Sequence, residues 1–452
     1  MKSAACLLLL SGLVQTVSVT ALATENDLAH RPKSFPYKDA RAVFVDFTTA
    51  DYDVTYDLNR SQAFARAEIR FEAVEEGYPV FDSVTAPTLL EVDGVRVGAA
   101  LERTPSQETM LRVIDRKVGR GSHVLRAELP LSQLVTFKDP GVRSAFWTSD
   151  LDEREFLERY LPANFEFDQV KMRLTVHFQG LKKEQAIYTN GQVTRFDNET
   201  YVIDYPAYYT SSSIFFHTAP VGTFEELRFE IRSMDGRVVP AMVYSTPAVW
   251  GPGLARLKDK TIEVIRELEK DYGPFPHPAV LVYQAGSGGM EYCGATMTDF
   301  NSLGHELFHS YFARGVMPAN GNSGWLDEAL ASWRDNAYPS VSALSGSSRM
   351  SAHPYYTRTT DTAAYGFGAR FMSYLDGRVK SKGGLKPFMR YMVANRRFQP
   401  LFVEEFIGAM EGFYQQSFGQ DFKRYTYGEG LHLEHQGGVH PKMKPEELEA
   451  FL

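Results

Sequence analysis

Cysteine is almost absent: the 452-residue chain has two, Cys6 and Cys293. Cys6 falls in an N-terminal segment that reads as a removable leader. The mature chain then keeps one thiol and has no intrachain disulfide. A disulfide-stapled fold is excluded, and stability must come from core burial, to which a metal can add. Cys293 itself reads as a small buried residue. Basic excess is absent too. The formal net charge is −8, so nothing supplies the electrostatic footprint of a nucleic-acid binder, and no nucleic-acid partner is expected. After the N-terminus, no run approaches the ~18 apolar residues of a membrane helix. No membrane association is expected once the leader is gone.

The leader has its own pattern. Lys2 gives a positive start, Ala4 to Val19 an apolar stretch, and Ala21-Leu22-Ala23 a small-x-small cleavage site. Residues 1–23 are expected to be a signal peptide and 24–41 a polar linker. The expected location is secreted or periplasmic, and the single remaining cysteine points to a bacterial setting.

The length predicts more than one domain. From 42 to 234 the pattern is strand-like. Ala63, Ala65, Ala67, Ile69, Phe71 and Ala73 alternate with polar residues, as do Val170, Met172, Leu174, Val176 and Phe178. This predicts an antiparallel β-sandwich or saddle. After Asp235 the period lengthens. Leu254, Leu257, Ile262, Ile265 and Leu268 mark an amphipathic helix stopped by Gly273-Pro274. Helices are expected at about 302–314, 326–338, 364–380, 385–395 and 402–415. Residues 235–430 are read as a mainly helical domain and 431–452 as a tail. The fold class is α+β. His432, His435 and His440 in the tail read as solvated.

The strongest chemical signal is His305-Glu306-Leu307-Phe308-His309. Histidines at i and i+4 share one helical face, so both imidazoles can reach one ion. Glu306 stands beside the metal without ligating it. Glu328 follows His309 after eighteen residues, within Trp325-Leu326-Asp327-Glu328-Ala329. It can bring a carboxylate from a second helix. Two imidazoles and a carboxylate are a catalytic zinc donor set, with a fourth position left for water. One Zn2+ per chain is expected, on His305, His309 and Glu328, with Glu306 as general base.

This arrangement resembles the M1 aminopeptidase family, the gluzincins, and the resemblance extends beyond the metal. Gly288-Gly289-Met290-Glu291-Tyr292 looks like the family's GxMEN motif, with tyrosine in place of asparagine. The resemblance implies that Glu291 binds the substrate's α-amine and that the backbone of Gly288, Gly289 and Met290 aligns the peptide. Tyr365-Gly366-Phe367-Gly368 resembles the YxxG segment. It implies that Tyr365 donates to the oxyanion, with Tyr355, Tyr356 and Tyr374 as rivals. Asp335, seven residues after Glu328, is implied to support a ligating histidine. Arg314 replaces a common asparagine. The stretch Asp150 to Gln169 looks like the end of the family's saddle domain. The resemblance implies a saddle followed by a thermolysin-like domain, here as a short form without the C-terminal helical domain, and hence a more open cleft.

The expected function is removal of N-terminal residues from peptide or protein substrates. Two alternatives stay open: an endopeptidase on the same machinery, and a non-catalytic zinc-binding scaffold. Nothing in the sequence specifies the epoxide hydrolysis also found in the family. Side-chain preference and oligomeric state are not encoded in any motif.

Overall fold

The computed structural model describes residues 29–105, 110–139, 141–146, 160–247, 253–285, 288–356 and 360–428. The expected signal peptide, most of the 150–160 stretch, Gly286, and the tail with His432, His435 and His440 lie outside the described residues. Among the described residues, no helix is long and apolar enough to cross a membrane. The architecture is α+β, with β sheets first and helices after.

The N-terminal half is built on an eight-stranded sheet. Its centre holds β1 (Asp46–Asp57), β2 (Gln62–Ala73), β3 (Gly121–Pro130) and β4 (Lys171–Gln179). The alternation read from sequence is the burial pattern observed: Ala63, Ala65, Ala67, Ile69, Phe71 and Ala73 of β2 are all buried. Small residues face large ones across the β1–β2 pair. Tyr52 stands opposite Ala67 and Tyr56 opposite Ala63, so the rings fill space the alanines leave. The other face carries ion pairs, Arg66 with Glu128 at 3.0 Å and Arg126 with Glu68 at 2.9 Å.

One expectation needs correction. The sheet is mixed, because β4 runs parallel to β1 from Lys171↔Thr49 to Gln179↔Asp57. Period-2 patterning fixes which face is buried and is silent on strand direction. A five-stranded and a four-stranded sheet complete this half.

A further five-stranded sheet carries the C-terminal half. Its strands are β5 (Glu225–Arg232), β6 (Val238–Ser245), β7 (Val280–Gln284), β8 (Gly289–Tyr292) and β9 (Ala295–Thr298), in the order β5-β6-β7-β9-β8. The expected boundary at 234/235 falls in the turn between β5 and β6. Strand β5 is hydrogen-bonded to β6 along its length and is therefore part of this sheet. Helix α1 (Leu254–Tyr272) buries Leu257, Val264, Ile265 and Leu268, the face its periodicity marks. Strand β8 is the edge nearest α2 (Leu303–Phe308). Then come α3 (Leu326–Asp335), α4 (Ala369–Arg378), α5 (Lys386–Arg396), α6 (Val403–Tyr414) and α7 (Gly419–Tyr425). They share a core with Phe371, Phe388, Met392, Phe406 and Phe422.

Helix α2 is shorter than the 302–314 expected. It ends at Phe308, and His309 is its C-cap. Tyr311 and Phe312 are drawn into the core, and the Tyr311 hydroxyl donates to the Gly273 carbonyl at 3.0 Å. Ala313 then turns at φ 124. Tertiary burial here outweighs helical continuation.

Candidate metal centre

Two elements converge on one point. His305 sits on α2, His309 caps it, and Glu328 lies in the first turn of α3. Leu303, Leu307 and Phe308 anchor α2 from its other side, all buried. The ligand atoms of His305, His309 and Glu328 lie within 4.8 Å of one another. His305 Nε2 is 2.9 Å from Glu328 Oε2, and His309 Nε2 is 3.5 Å from the same oxygen.

The remaining ring nitrogens fix the tautomers. His305 Nδ1 donates to Asp335 Oδ2 at 2.6 Å, and His309 Nδ1 donates to the Phe312 carbonyl at 3.0 Å. Both Nε2 lone pairs are thereby turned inward. His309 Nε2 is buried and makes no hydrogen bond. A buried acceptor of that kind carries a desolvation penalty unless something fills the position. Two Nε2 atoms and a carboxylate, one of them orphaned, fit zinc.

The electrostatics point the same way. Burial works against charge on His305, but Asp335 and Glu328 outweigh it and hold the ring up at about 9. His309 is also held above its ordinary range against burial, by Glu328 and Glu291. Glu328 is half-buried and desolvation opposes its charge, yet the two imidazoles hold its carboxyl well below the usual range. The site therefore demands positive charge, which protons or a cation can supply.

Glu306 is 6% exposed. Burial first, then the neighbouring Glu291 and Glu328, push its carboxyl up to about 8. A cation alongside would draw that value down. Gly289 of β8 lies directly against it: a Cβ there would collide with the Glu306 carboxylate. The edge strand can approach Glu306 only because position 289 has no side chain.

Tyr365 lies in the π-helical turn Ala364–Gly368 before α4. Such turns recur at functional sites. Gly368 lets this turn press on α3, since a Cβ there would sit 2.8 Å from Ala329 Cβ. The Tyr365 hydroxyl donates to Glu328 Oε1 at 3.0 Å. Burial and Glu328 hold the phenol above its usual range, so it keeps its proton. The rivals lie elsewhere. Tyr374 donates to Asp421 at 2.9 Å, Tyr356 donates to the Lys33 carbonyl, and Tyr355 packs on Phe402.

Glu291 is 9% exposed and already has a partner. Its Oε1 accepts from Arg314 Nη2 at 2.9 Å. Burial opposes charge on Arg314, and Glu291 and Glu166 together hold the guanidinium above its ordinary range. Cys293 is buried, and burial pushes its thiol up to about 12, so it is unreactive.

His305, Glu306, Glu328, Asp335, Tyr365, Gly289, Glu291 and Arg314 line one cleft of about 970 Å³. Four of its charged members, Asp327, Arg334, Glu267 and Glu166, were not singled out from the sequence. Asp327 is half-buried beside Glu328, and desolvation pushes its carboxyl up to about 8. Arg334 donates to Asp335 at 3.2 Å and grips Glu267 at 3.1 and 2.7 Å. Glu166 faces Arg314. Only Asp327 and Arg334, flanking the proposed ligand and its supporting aspartate, had a positional signal.

A scan against protein-family models matches none, and a search of curated proteins finds no match. Solved structures do match. A mutant M1 zinc metallopeptidase from Deinococcus radiodurans, bound to a Tyr-Ser-Ala substrate, aligns at TM-score 0.64 and 16% identity. The alignment covers 88% of this chain and 97% of that one. Yeast LTA4 hydrolase in complex with bestatin aligns at TM-score 0.60 and 14% identity, over 86% and 68% of the chains. Legionella pneumophila aminopeptidase A in complex with aspartic acid aligns at 0.62 and 12%, over 88% and 51%. The fold is that of the two-domain M1 zinc metallopeptidases.

Proposed function

We propose that this chain is a zinc-dependent aminopeptidase that removes N-terminal residues from peptides. The observation that carries the proposal is the convergence of His305, His309 and Glu328 within 4.8 Å, with the buried carboxyl of Glu306 on the same short helix. Zinc held by those three residues would supply Lewis acidity and lower the pKa of a water to about 7.

The chain's own groups do the rest. Glu306 takes the proton from the attacking water and returns it to the leaving amine. Its burial keeps proton affinity high enough for the return step. Tyr365, protonated and beside the triad, donates to the carbonyl oxygen as it becomes anionic. Glu291 receives the substrate's α-ammonium, and the backbone of Gly288, Gly289 and Met290 runs beside the peptide. Asp335 holds the His305 ring in place. The tripeptide bound by the Deinococcus enzyme is the size of substrate this cleft would take. The leader pattern adds that the protein acts outside the cytoplasm.

An endopeptidase reading is favoured by one observation: Arg314 already compensates Glu291, so a substrate without a free amine meets a weaker penalty. The test of catalysis is direct. Zinc-loaded protein should shorten a peptide from its N-terminus one residue at a time, followed by mass spectrometry. Glu306→Gln should slow this by about 10²–10⁴-fold while zinc content is retained. Unchanged turnover in that variant would remove Glu306 as the general base.

A further inference from the structure

Strand β8 is the edge of its sheet, so an extended peptide can lie along its open side. With the amine at Glu291, the rest of the peptide runs back toward Gly289 and Gly288. At that end the Gly288 carbonyl accepts from Asp299 N at 2.9 Å. This brings the turn after β9 to the cleft, where Asn301 and Ser302 line it. Glu291 is level with Thr296, and Gly289 with Thr298. Phe300 follows two residues beyond Thr298. At ~3.3 Å per residue it stands on the order of 10–13 Å from Glu291, the span of an extended tri- or tetrapeptide.

A second groove, of about 430 Å³, meets the cleft here. It shares the Arg334–Glu267 pair with the cleft and runs along α1 past Phe300, Lys260 and Arg256. Both cations sit over the Phe300 ring, Lys260 Nζ at 4.4 Å and the Arg256 guanidinium at 5.6 Å from its centroid. Lys260 is held in place, because its Nζ donates to the Phe300 carbonyl at 2.6 Å. Two N–H donors remain on it.

Most other charges around the groove are engaged. Glu267 pairs with Arg334 at 2.7 Å, and Asp259 with Lys258 at 3.3 Å. Asp299 is turned into its own loop, accepting from Asn301 N and Ser302 N at 2.6 and 3.0 Å. Among the described residues neither Lys260 nor Arg256 makes an ion pair. Within the groove they face Glu263 alone, which leaves one positive charge in excess. Along the cleft itself acids prevail: Glu166, Glu291, Glu328 and Asp335 stand against Arg314 and Arg334. A peptide's terminal carboxylate is therefore better placed at the Phe300 end than among these acids.

We propose that Lys260 and Arg256, stacked on Phe300, form a binding site for the α-carboxylate of a short peptide substrate. This rests on the aminopeptidase reading and adds a substrate size to it. Tri- and tetrapeptides are held at both ends, and longer chains carry their carboxylate past the site.

The test uses zinc-loaded Glu306→Gln protein, so that ligand is not consumed, and compares Leu-Ala-Ala with its C-terminal amide by calorimetry. The free acid should bind about three- to tenfold more tightly. Lys260→Gln and Arg256→Gln together should bring the two affinities together. Arg266→Gln, the same loss of charge at an exposed position of α1, should not. In the active protein the acid's advantage should appear in KM rather than kcat, and it should fade for peptides of about six residues or more. If the double variant is unstable, Arg256→Gln at its exposed position should still lower the preference.

Equal affinities of acid and amide, no binding of either, or a preference that survives these substitutions overturns the proposal. The two readings fail separately. N-terminal trimming without an acid preference removes the carboxylate site and keeps the aminopeptidase. A Lys260-dependent acid preference with equal cleavage of free and acetylated peptides keeps the site and removes the aminopeptidase.

Discussion

At the scale of single residues, the candidate metal centre depends on groups outside its three donor side chains. Asp335 holds His305 Nδ1 at 2.6 Å and is itself held by Arg334. Removing its negative charge weakens the hydrogen bond that sets the ring's tautomer and basicity. Asp335→Asn should lower zinc affinity by about 10–100-fold, measured by competition with a chromophoric chelator. An unchanged affinity would show that His305 is oriented by other means. The ligand set was legible because HExxH and the eighteen-residue interval are local patterns. The supporting pair Arg334–Glu267 joins α3 to α1 across 67 positions, and no periodicity announces such a pair. Arg314 was visible as a departure from a family pattern. Its partners Glu291 and Glu166, 23 and 148 positions away, were visible only once the chain had folded.

At the scale of elements, the site is held by short pieces that could not stand alone. Helix α2 has six residues, too few to be stable without tertiary packing. Its buried Leu303, Leu307 and Phe308 fix its rotation and so aim both histidines. Sequence periodicity located this helix but overestimated its length, because Tyr311 and Phe312 gain more by entering the core than by continuing the helix. Strand β8 approaches α2 so closely that position 289 must lack a side chain. Gly289→Ala should push the Glu306 carboxylate aside. The expected result is a fall in kcat/KM of at least ~10²-fold with the thermal midpoint nearly unchanged, since the displaced group is the end of a side chain. A large drop in thermal midpoint instead would mean that strand β8, not Glu306, had moved.

At the scale of the molecule, the cleft is formed where β sheets and helices dock. His277 marks that junction. It packs on Tyr208 from one half and Phe398 from the other, and hydrogen-bonds the Ser310 carbonyl at 3.0 Å. Burial pushes its pKa down to about 3 from 6.5, so the ring is neutral when folded. The unfolded chain takes up that proton below pH 6.5. The stability from this group is therefore complete above 6.5 and drains as pH falls from 6.5 toward 3, at up to about 1.4 kcal/mol per pH unit. In urea unfolding between pH 7 and 4.5, His277→Gln should show a shallower loss than the parent protein, by about one proton. Equal slopes would place the titration elsewhere. Strand pairing at this scale was least legible. The parallel β4–β1 pair joins residues more than a hundred positions apart, and alternation alone cannot choose its direction.

The central claim is that this cleft reads a free N-terminus beside a zinc centre. The most direct measurement is the rate at which zinc-loaded protein hydrolyses one peptide in free and N-acetylated forms. The account predicts cleavage of the free form, releasing its first residue, and little or none of the acetylated form. Equal rates for both would contradict it, and the same residues would then have to be assigned to an endopeptidase.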